Sequence, residues 1–238
     1  MDNSYDEKKI KKVSIVSIGK TPRFNRMLLK EGFKIVQNDP DFIVCYGGDG
    51  TLLYGERKFP GVPKLIIKKQ NICRKCDYVL HQTREILSNI RNGKFSIRNE
   101  MKLEGRVLTK KLIGLNEVQI HTKLPIYAIR FSLSVNEMEF DNLIGDGAII
   151  ATPFGSTGYY KSTGGKQFRK GIGISFNNIH NKRVRSFVVP ESSKIKITVN
   201  RGPALLLVDN NEKSYELGEK DISVIRKSET EARFIYAL

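Results

Sequence analysis

The 238-residue sequence predicts two domains, a Rossmann-like α/β domain followed by an antiparallel β-sandwich domain, with a ligand cleft between them. Three observations predict this. Short apolar runs alternate with helical patterns as far as residue 93, as in a mostly parallel sheet with helices on its faces. From Lys94 onward the runs become short and β-rich, with turn residues between them. Hydrophobic residues make up 39% of the chain, enough for a core of real size, and 28% charged content falls short of a disordered composition.

In chain order, "KVSIVSI" (Lys12 to Ile18) reads as a buried strand. "PRFNRMLLKEG" (Pro22 to Gly32) reads as a helix with Pro at its start and Gly at its end. "FKIV", "FIVCY", a helix from about Gly50, "KLIIK" and a helix around "QTREILSNIRNG" complete the first domain, residues 1–93. "EGRVLTKKL", "NEVQIHT", "PIYAIRFSLSV", "RSFVVP", "SKIKITVN", "ALLLVD" and "DISVIRK" are the strands of the second, residues 94–225. The tail, about 226–238, is expected to pack back on the first domain.

The formal net charge is +16, and the basic residues read as scattered over solvated faces rather than gathered on one helix. With 9% aromatics, no Trp and no interleaved glycine and aromatic signature, a nucleic-acid partner is not expected. No apolar run approaches the length of a membrane span, and the start "MDNSYDEKKIKKV" is too polar for a secretory signal, so a cytoplasmic protein without membrane contact is expected. Cys45, Cys73 and Cys76 are an odd set for a disulfide framework. The lone C-x-x-C at Cys73 and Cys76 lacks two further ligands at zinc spacing, so reduced thiols and no bound metal at a protein-only site are expected.

Three tempting motifs fail. "SIGKT" (Ser17 to Thr21) ends like a phosphate-binding P-loop, but Ser14 stands where that motif needs glycine. No G-x-G-x-x-G occurs. Ser156 in "FGSTG" follows Phe154 rather than the glycine of a nucleophile elbow.

"FIVCYGGDGTLLYG" is different. It places an acid among glycines at the carboxyl end of a buried strand and ahead of a helix, where open α/β sheets bind ligands. Gly47, Gly48, Gly50 and Thr51 would let backbone N–H groups approach phosphate oxygens beside a helix N-terminus. A carboxylate beside phosphates repels them, so Asp49 is expected to accept a proton from an attacking hydroxyl or to help hold Mg²⁺. A tight turn with Asp49 capping the helix is the plain structural alternative. Two more segments are polar in the same way. "GLNEVQI" sets Asn116 and Glu117 at a strand entry, and "IGDGAIIATPFGSTGYYKSTGG" holds Asp146 in a glycine turn, then Gly155, Ser156, Thr157 and Gly158 at a helix start.

Together these residues resemble the NAD kinase family, whose pattern is G-G-D-G-T, then N-E, then D-G followed by T-P-T-G-S-T-A-Y and S-A-G-G. Here the matches are Gly47 to Thr51, Asn116 with Glu117, Asp146 with Gly147, and Thr152 to Gly165, in that order. The resemblance implies phosphorylation of the 2′-hydroxyl on the adenosine ribose of NAD, with ATP or polyphosphate as donor and Mg²⁺ or another divalent cation. It implies that Asp49 is the catalytic acid–base residue and that Asn116 and Glu117 hold the adenosine end. Asp146, Ser156, Thr157, Gly158 and Tyr159 would line the rest of the dinucleotide pocket, within one chain or across a subunit interface of a homodimer or homotetramer. Several positions depart from the pattern: "KKQNICRKCDYVL" (Lys68 to Leu80) replaces a glycine-rich stretch, and Phe154, Gly158, Lys166 and Asn210 replace Thr, Ala, Pro and Gly. That keeps a rival in view, a kinase sharing the G-G-D-G-T loop but acting on a lipid, sugar or nucleoside hydroxyl.

Overall fold

The computed structural model describes residues 10–68 and 78–237. The divergent stretch after Lys68, including Cys73 and Cys76, lies almost wholly outside the described residues. In order the elements are β1 (Lys12–Ser17), α1 (Pro22–Lys30), β2 (Lys34–Ile35), β3 (Phe42–Gly47), α2 (Asp49–Lys58), β4 (Lys64–Lys68), β5 (Tyr78–Val79) and α3 (Thr83–Arg91). Then come β6 (Phe95–Val107), β7 (Lys110–Gly114), β8 (Glu117–Thr122), β9 (Ile129–Val135), β10 (Met138–Gly145), β11 (Gly147–Ala151) and α4 (Tyr159–Ser162). The last are β12 (Ile172–Asn177), β13 (Phe187–Val189), β14 (Ile195–Arg201), β15 (Ala204–Val208), β16 (Tyr215–Leu217) and β17 (Ile222–Ala237). They divide into two compact units, Met1–Glu100 with Ala232–Leu238, and Met101–Glu231. Strands β6 and β17 run through the two boundaries. No helix among the described residues is long and apolar enough to cross a membrane.

The second unit is an antiparallel sandwich. One sheet runs β10-β9-β14-β17-β6-β7 and the other β13-β12-β11-β8-β15-β16. Alternation along each strand sends one set of side chains inward. Val118 and Ile120 of β8, Ala148 and Ile150 of β11, and Ile172, Ile174 and Phe176 of β12 meet Phe131, Leu133, Ile195 and Ile197 of the facing sheet in one buried core. The intervening residues of β8, β11 and β12 form the opposite face, where Ile149 and Ala151 pack with Tyr160 among polar neighbours. Glu117, Gln119, Ser175 and Asn177 are buried there.

The first unit has the parallel order β2-β1-β3-β4, with β5 and the end of β17 also pairing with β4. Helices α1 and α3 cover one face, where Phe24, Leu28, Ile86, Leu87 and Ile90 pack against Val13, Val44, Leu65 and Ile67. Helix α2 lies against the other. A methyl group on Gly55 would stand 2.6 Å from Cys45 Sγ, so glycine is required there for α2 to sit this close to β3. Burial pushes the Cys45 thiol up to about 12, Lys64 lowering and Glu56 raising it, and the protonated sulfur serves as an apolar surface for the helix.

The far end of α2 is tied down by a buried charge. Lys64 on β4 is fully buried and its Nζ meets three acceptors: Glu56 Oε2 at 2.5 Å, the Val62 carbonyl at 2.5 Å and the Phe59 carbonyl at 3.1 Å. The ammonium donates to the two carbonyls, and the Glu56 carboxylate beside it balances its charge. Removing one partner of such a pair strands the other charge in the core, whereas replacing both leaves an apolar contact. Lys64→Met is therefore expected to cost roughly 3–5 kcal/mol in urea unfolding, and Glu56→Met combined with it to recover most of that loss. A single variant as stable as the parent would count against the pair as the anchor of α2.

Candidate active site

The glycine loop closes β3 and opens α2. Gly48 is the N-cap residue and Asp49 the first residue of the helix, one position later than a capping aspartate would stand. Asp49 is half-buried and lies in the first turn, where the helix dipole favours negative charge. Thr51 is buried beneath the loop, and a methyl group on Gly47 would fall 2.2 Å from its hydroxyl oxygen. Glycine at 47 is thus a packing requirement. Nothing lies within 4 Å of the corresponding point on Gly48, which leaves that approach open. The loop has the form expected of a phosphate cradle with an acid at its edge.

In the β unit, two separate segments converge on the main chain of Asn116. From one side comes Asp209, whose carboxylate accepts the backbone N–H groups of Leu115 at 2.8 Å, Asn116 at 2.7 Å and Glu117 at 3.2 Å. From another comes Thr152, fully buried, whose hydroxyl donates to the Leu115 carbonyl at 2.7 Å and the Asn116 carbonyl at 3.2 Å. The Thr152 backbone N–H also reaches the Asn116 carbonyl, at 2.9 Å, and the Thr152 hydroxyl receives the Gly155 N–H at 2.9 Å. Gly155 passes so close that a methyl group there would stand 1.9 Å from the Asn116 carbonyl oxygen. Only glycine fits that crossing.

This packing brings several of the predicted side chains together. A methyl group on Gly158 would sit 3.7 Å from Glu117 Oε2 and 3.8 Å from Asn116 Nδ2, so the three positions share one small patch. Glu117 Oε1 also receives Gln119 Nε2 at 3.4 Å. Ser156 sits in the same turn but is fully buried, its hydroxyl donating to the Pro153 carbonyl at 2.7 Å, where it braces the turn from within. Thr157 is half-buried beside it.

Asp146 is not part of that patch. In the sheet register Ala151 faces Glu117 while Gly147 faces His121, so Asp146 stands at the opposite end of β11, roughly 13 Å or more away at strand spacing. Its carboxylate receives Asn178 Nδ2 at 2.6 Å and its backbone N–H donates to the Asn177 carbonyl at 2.9 Å. Tyr159 links the two ends. It follows Gly158 directly, and its hydroxyl receives Asn177 Nδ2 at 2.9 Å, beside Asp146. The predicted residues therefore lie along a line, from Asn116 and Glu117 through Gly158 and Tyr159 to Asp146.

Asp209 and Thr152 are the residues that motif reading left unassigned. Thr152 was visible as the first letter of its motif, and Asp209 only as an acid beside Asn210. No local spacing says that an aspartate 93 residues along the chain receives the Asn116 N–H.

The model of the ATP-NAD kinase C-terminal domain matches residues 115–237, just over half of the chain. A protein named NAD kinase from Thermoplasma volcanium is 30% identical over 210 residues, covering 86% of this chain and 76% of that protein. A bifunctional NADP phosphatase/NAD kinase from Methanocaldococcus jannaschii is 28% identical over 204 residues, and the chain spans 35% of its length. Among solved structures, the NAD kinase from Archaeoglobus fulgidus in complex with ATP has a TM-score of 0.79 at 23% identity, covering 94% of this chain and 92% of that one. Yeast NADH kinase complexed with NADH has a TM-score of 0.84 at 16% identity, covering 98% and 85%. The two structures establish the fold; the domain match and the Thermoplasma relative establish kinship. The chain belongs to the NAD kinase family.

Proposed function

We infer that the protein is an NAD kinase, transferring the γ-phosphate of ATP to the 2′-hydroxyl of the adenosine ribose of NAD to give NADP. The observation that carries this reading is the convergence on Asn116, which assembles Asn116, Glu117 and Gly158 from two distant motifs in a chain that also keeps the Asp49 loop. The rival, a kinase for another hydroxyl, has no such observation behind it and is not favoured by the relatives, which are named NAD kinase.

In the proposed reaction the ribose hydroxyl attacks the γ-phosphorus, the bond to the β-γ bridging oxygen breaks, and ADP leaves. A sugar hydroxyl is a weak acid, so the attacking oxygen needs a base within reach. Asp49 takes that proton, and the N–H groups of the loop with the N-terminus of α2 offset phosphate charge. Asn116 and Glu117 supply amide and carboxylate groups for the adenosine end, and the line through Gly158 and Tyr159 to Asp146 suits an extended dinucleotide rather than a compact substrate. Asp146, so far along that line, also suits contact with a ligand of a neighbouring copy, in keeping with a homodimer or homotetramer.

Among the described residues no three metal-ligating side chains gather into a cage. That suits Mg²⁺ arriving on the nucleotide phosphates and keeping most of its waters, with Asp49 the loop carboxylate able to face it. When bound, such an ion neutralises charge on the transferring phosphoryl group.

Two variants test these assignments, with NADP read by an NADP-specific dehydrogenase. Asp49→Asn is expected to bind NAD as the parent does and to lose roughly 10²–10⁴-fold in turnover. Turnover near that of the parent would remove Asp49 from the role of base. Asp209→Ala releases three backbone N–H groups from a charged acceptor, and the KM for NAD is expected to rise roughly 10–100-fold with a smaller change in kcat. An unchanged KM would mean that the Asn116 patch keeps its shape without the clamp.

A further inference from the structure

The charge of +16 is not spread evenly once the chain is folded. Helix α1 carries no acidic residue, and Arg23, Arg26 and Lys30 recur along it at intervals of three and four, which puts them on one side. Phe24 and Leu28 occupy the other side, buried against the sheet, so the cationic side faces outward. The premise that basic residues do not gather on one helix fails here.

Helix α3 packs on the same face of the sheet and turns Arg84 toward α1. Arg23, Arg26, Met27, Lys30, Glu31 and Arg84 line a groove of about 380 Å³. Glu31 is its single acid, and Arg84 Nε holds it at 3.0 Å. Arg91, one further turn pair along α3, donates to the Glu31 backbone carbonyl at 3.0 Å and so sits at the same rim. The groove thus retains a surplus of exposed positive charge from Arg23, Arg26 and Lys30.

We propose that this groove binds the phosphate backbone of a nucleic-acid strand. The three cations of α1 span roughly 10.5 Å of helix axis. A strand at about 3.4 Å per nucleotide brings about three phosphates across that length. An extended acidic peptide brings only about two carboxylates on one side, because alternate side chains face away. Guanidinium groups predominate in the lining, and they match phosphate oxygens bidentately. The lining has no aromatic ring on which a base could stack, so binding here follows charge rather than sequence, and RNA and DNA strands are held alike.

The test uses the full chain and fluorescence anisotropy of a labelled 20-nucleotide single-stranded RNA, its DNA counterpart and a glutamate peptide of equal charge, over a salt series. For the intact protein, RNA and DNA strands are expected to bind equally and more tightly than the peptide. Arg23→Gln, Arg26→Gln and Lys30→Gln combined are expected to lower affinity about tenfold or more in low salt. They should also reduce the slope of log Kobs against log salt by about 2, the value for three single-strand phosphates. A control variant, Lys194→Gln, Lys196→Gln and Arg201→Gln, is expected to change neither as much. NADP formation is measured alongside and stays at the parent level in the α1 variant, so this proposal fails or survives independently of the kinase reading. Equal loss in the two triple variants, an unchanged slope, or tighter binding of the peptide would overturn it.

Discussion

The main chain of Asn116 is the point on which the proposed NAD-recognition patch depends. Its N–H goes to Asp209, its carbonyl receives both donors of Thr152, and Gly155 passes against it with no room for a methyl group. The contacts come from two stretches far from Asn116 in the chain, one at Asp209 and one at Thr152–Gly155, so the orientation of this main chain is set by neighbouring segments rather than by its own strand. The carboxylate matters because it is charged and accepts three N–H groups at once, which is stronger and more directional than neutral bonds would be. Beneath it, Val118 and Ile120 anchor β8 in the apolar core of the sandwich.

The α/β unit solves a related problem by packing. Asp49 belongs to the first turn of α2, and α2 is held along its length: by Thr51 under Gly47, by Gly55 against Cys45, and by Glu56 and the Phe59 carbonyl on the buried ammonium of Lys64. A helix fixed at both ends cannot swing its N-terminus without disturbing the core. Asp49 is positioned by residues packed in the core, as the Asn116 patch is positioned by Asp209 and Thr152.

Much of this was legible in the sequence because it rests on local periodicity. The alternation of strands and helices up to α3, the short β runs beyond it, and the glycines around Asp49 all express preferences that act over a few residues. The capping alternative for Asp49 differed from the structure by a single position, since Gly48 occupies the N-cap. What stayed hidden depends on residues far apart in the chain. Asp209 and Asn116 meet only because β15 pairs with β8, and Lys64 and Glu56 only because α2 folds back beside β4. The distance of Asp146 from Asn116 follows from the register of β11 on β8, which the motif spacing does not contain. Ser156 looked like a donor to a ligand, yet its hydroxyl turns inward to Pro153. The cations of α1 looked scattered because a count over the chain ignores which face of a helix each one occupies.

The central claim is that this chain transfers phosphate to the 2′-hydroxyl of the adenosine ribose of NAD and to no other alcohol. Phosphorus-31 NMR of the product formed from NAD and ATP tests this most directly, because it reports which oxygen carries the new phosphate. The account predicts one new phosphomonoester resonance coupled to the ribose 2′ position, with the pyrophosphate signals of the dinucleotide retained. A phosphomonoester at the 3′ position or on the nicotinamide ribose, or no transfer to NAD at all, would contradict it.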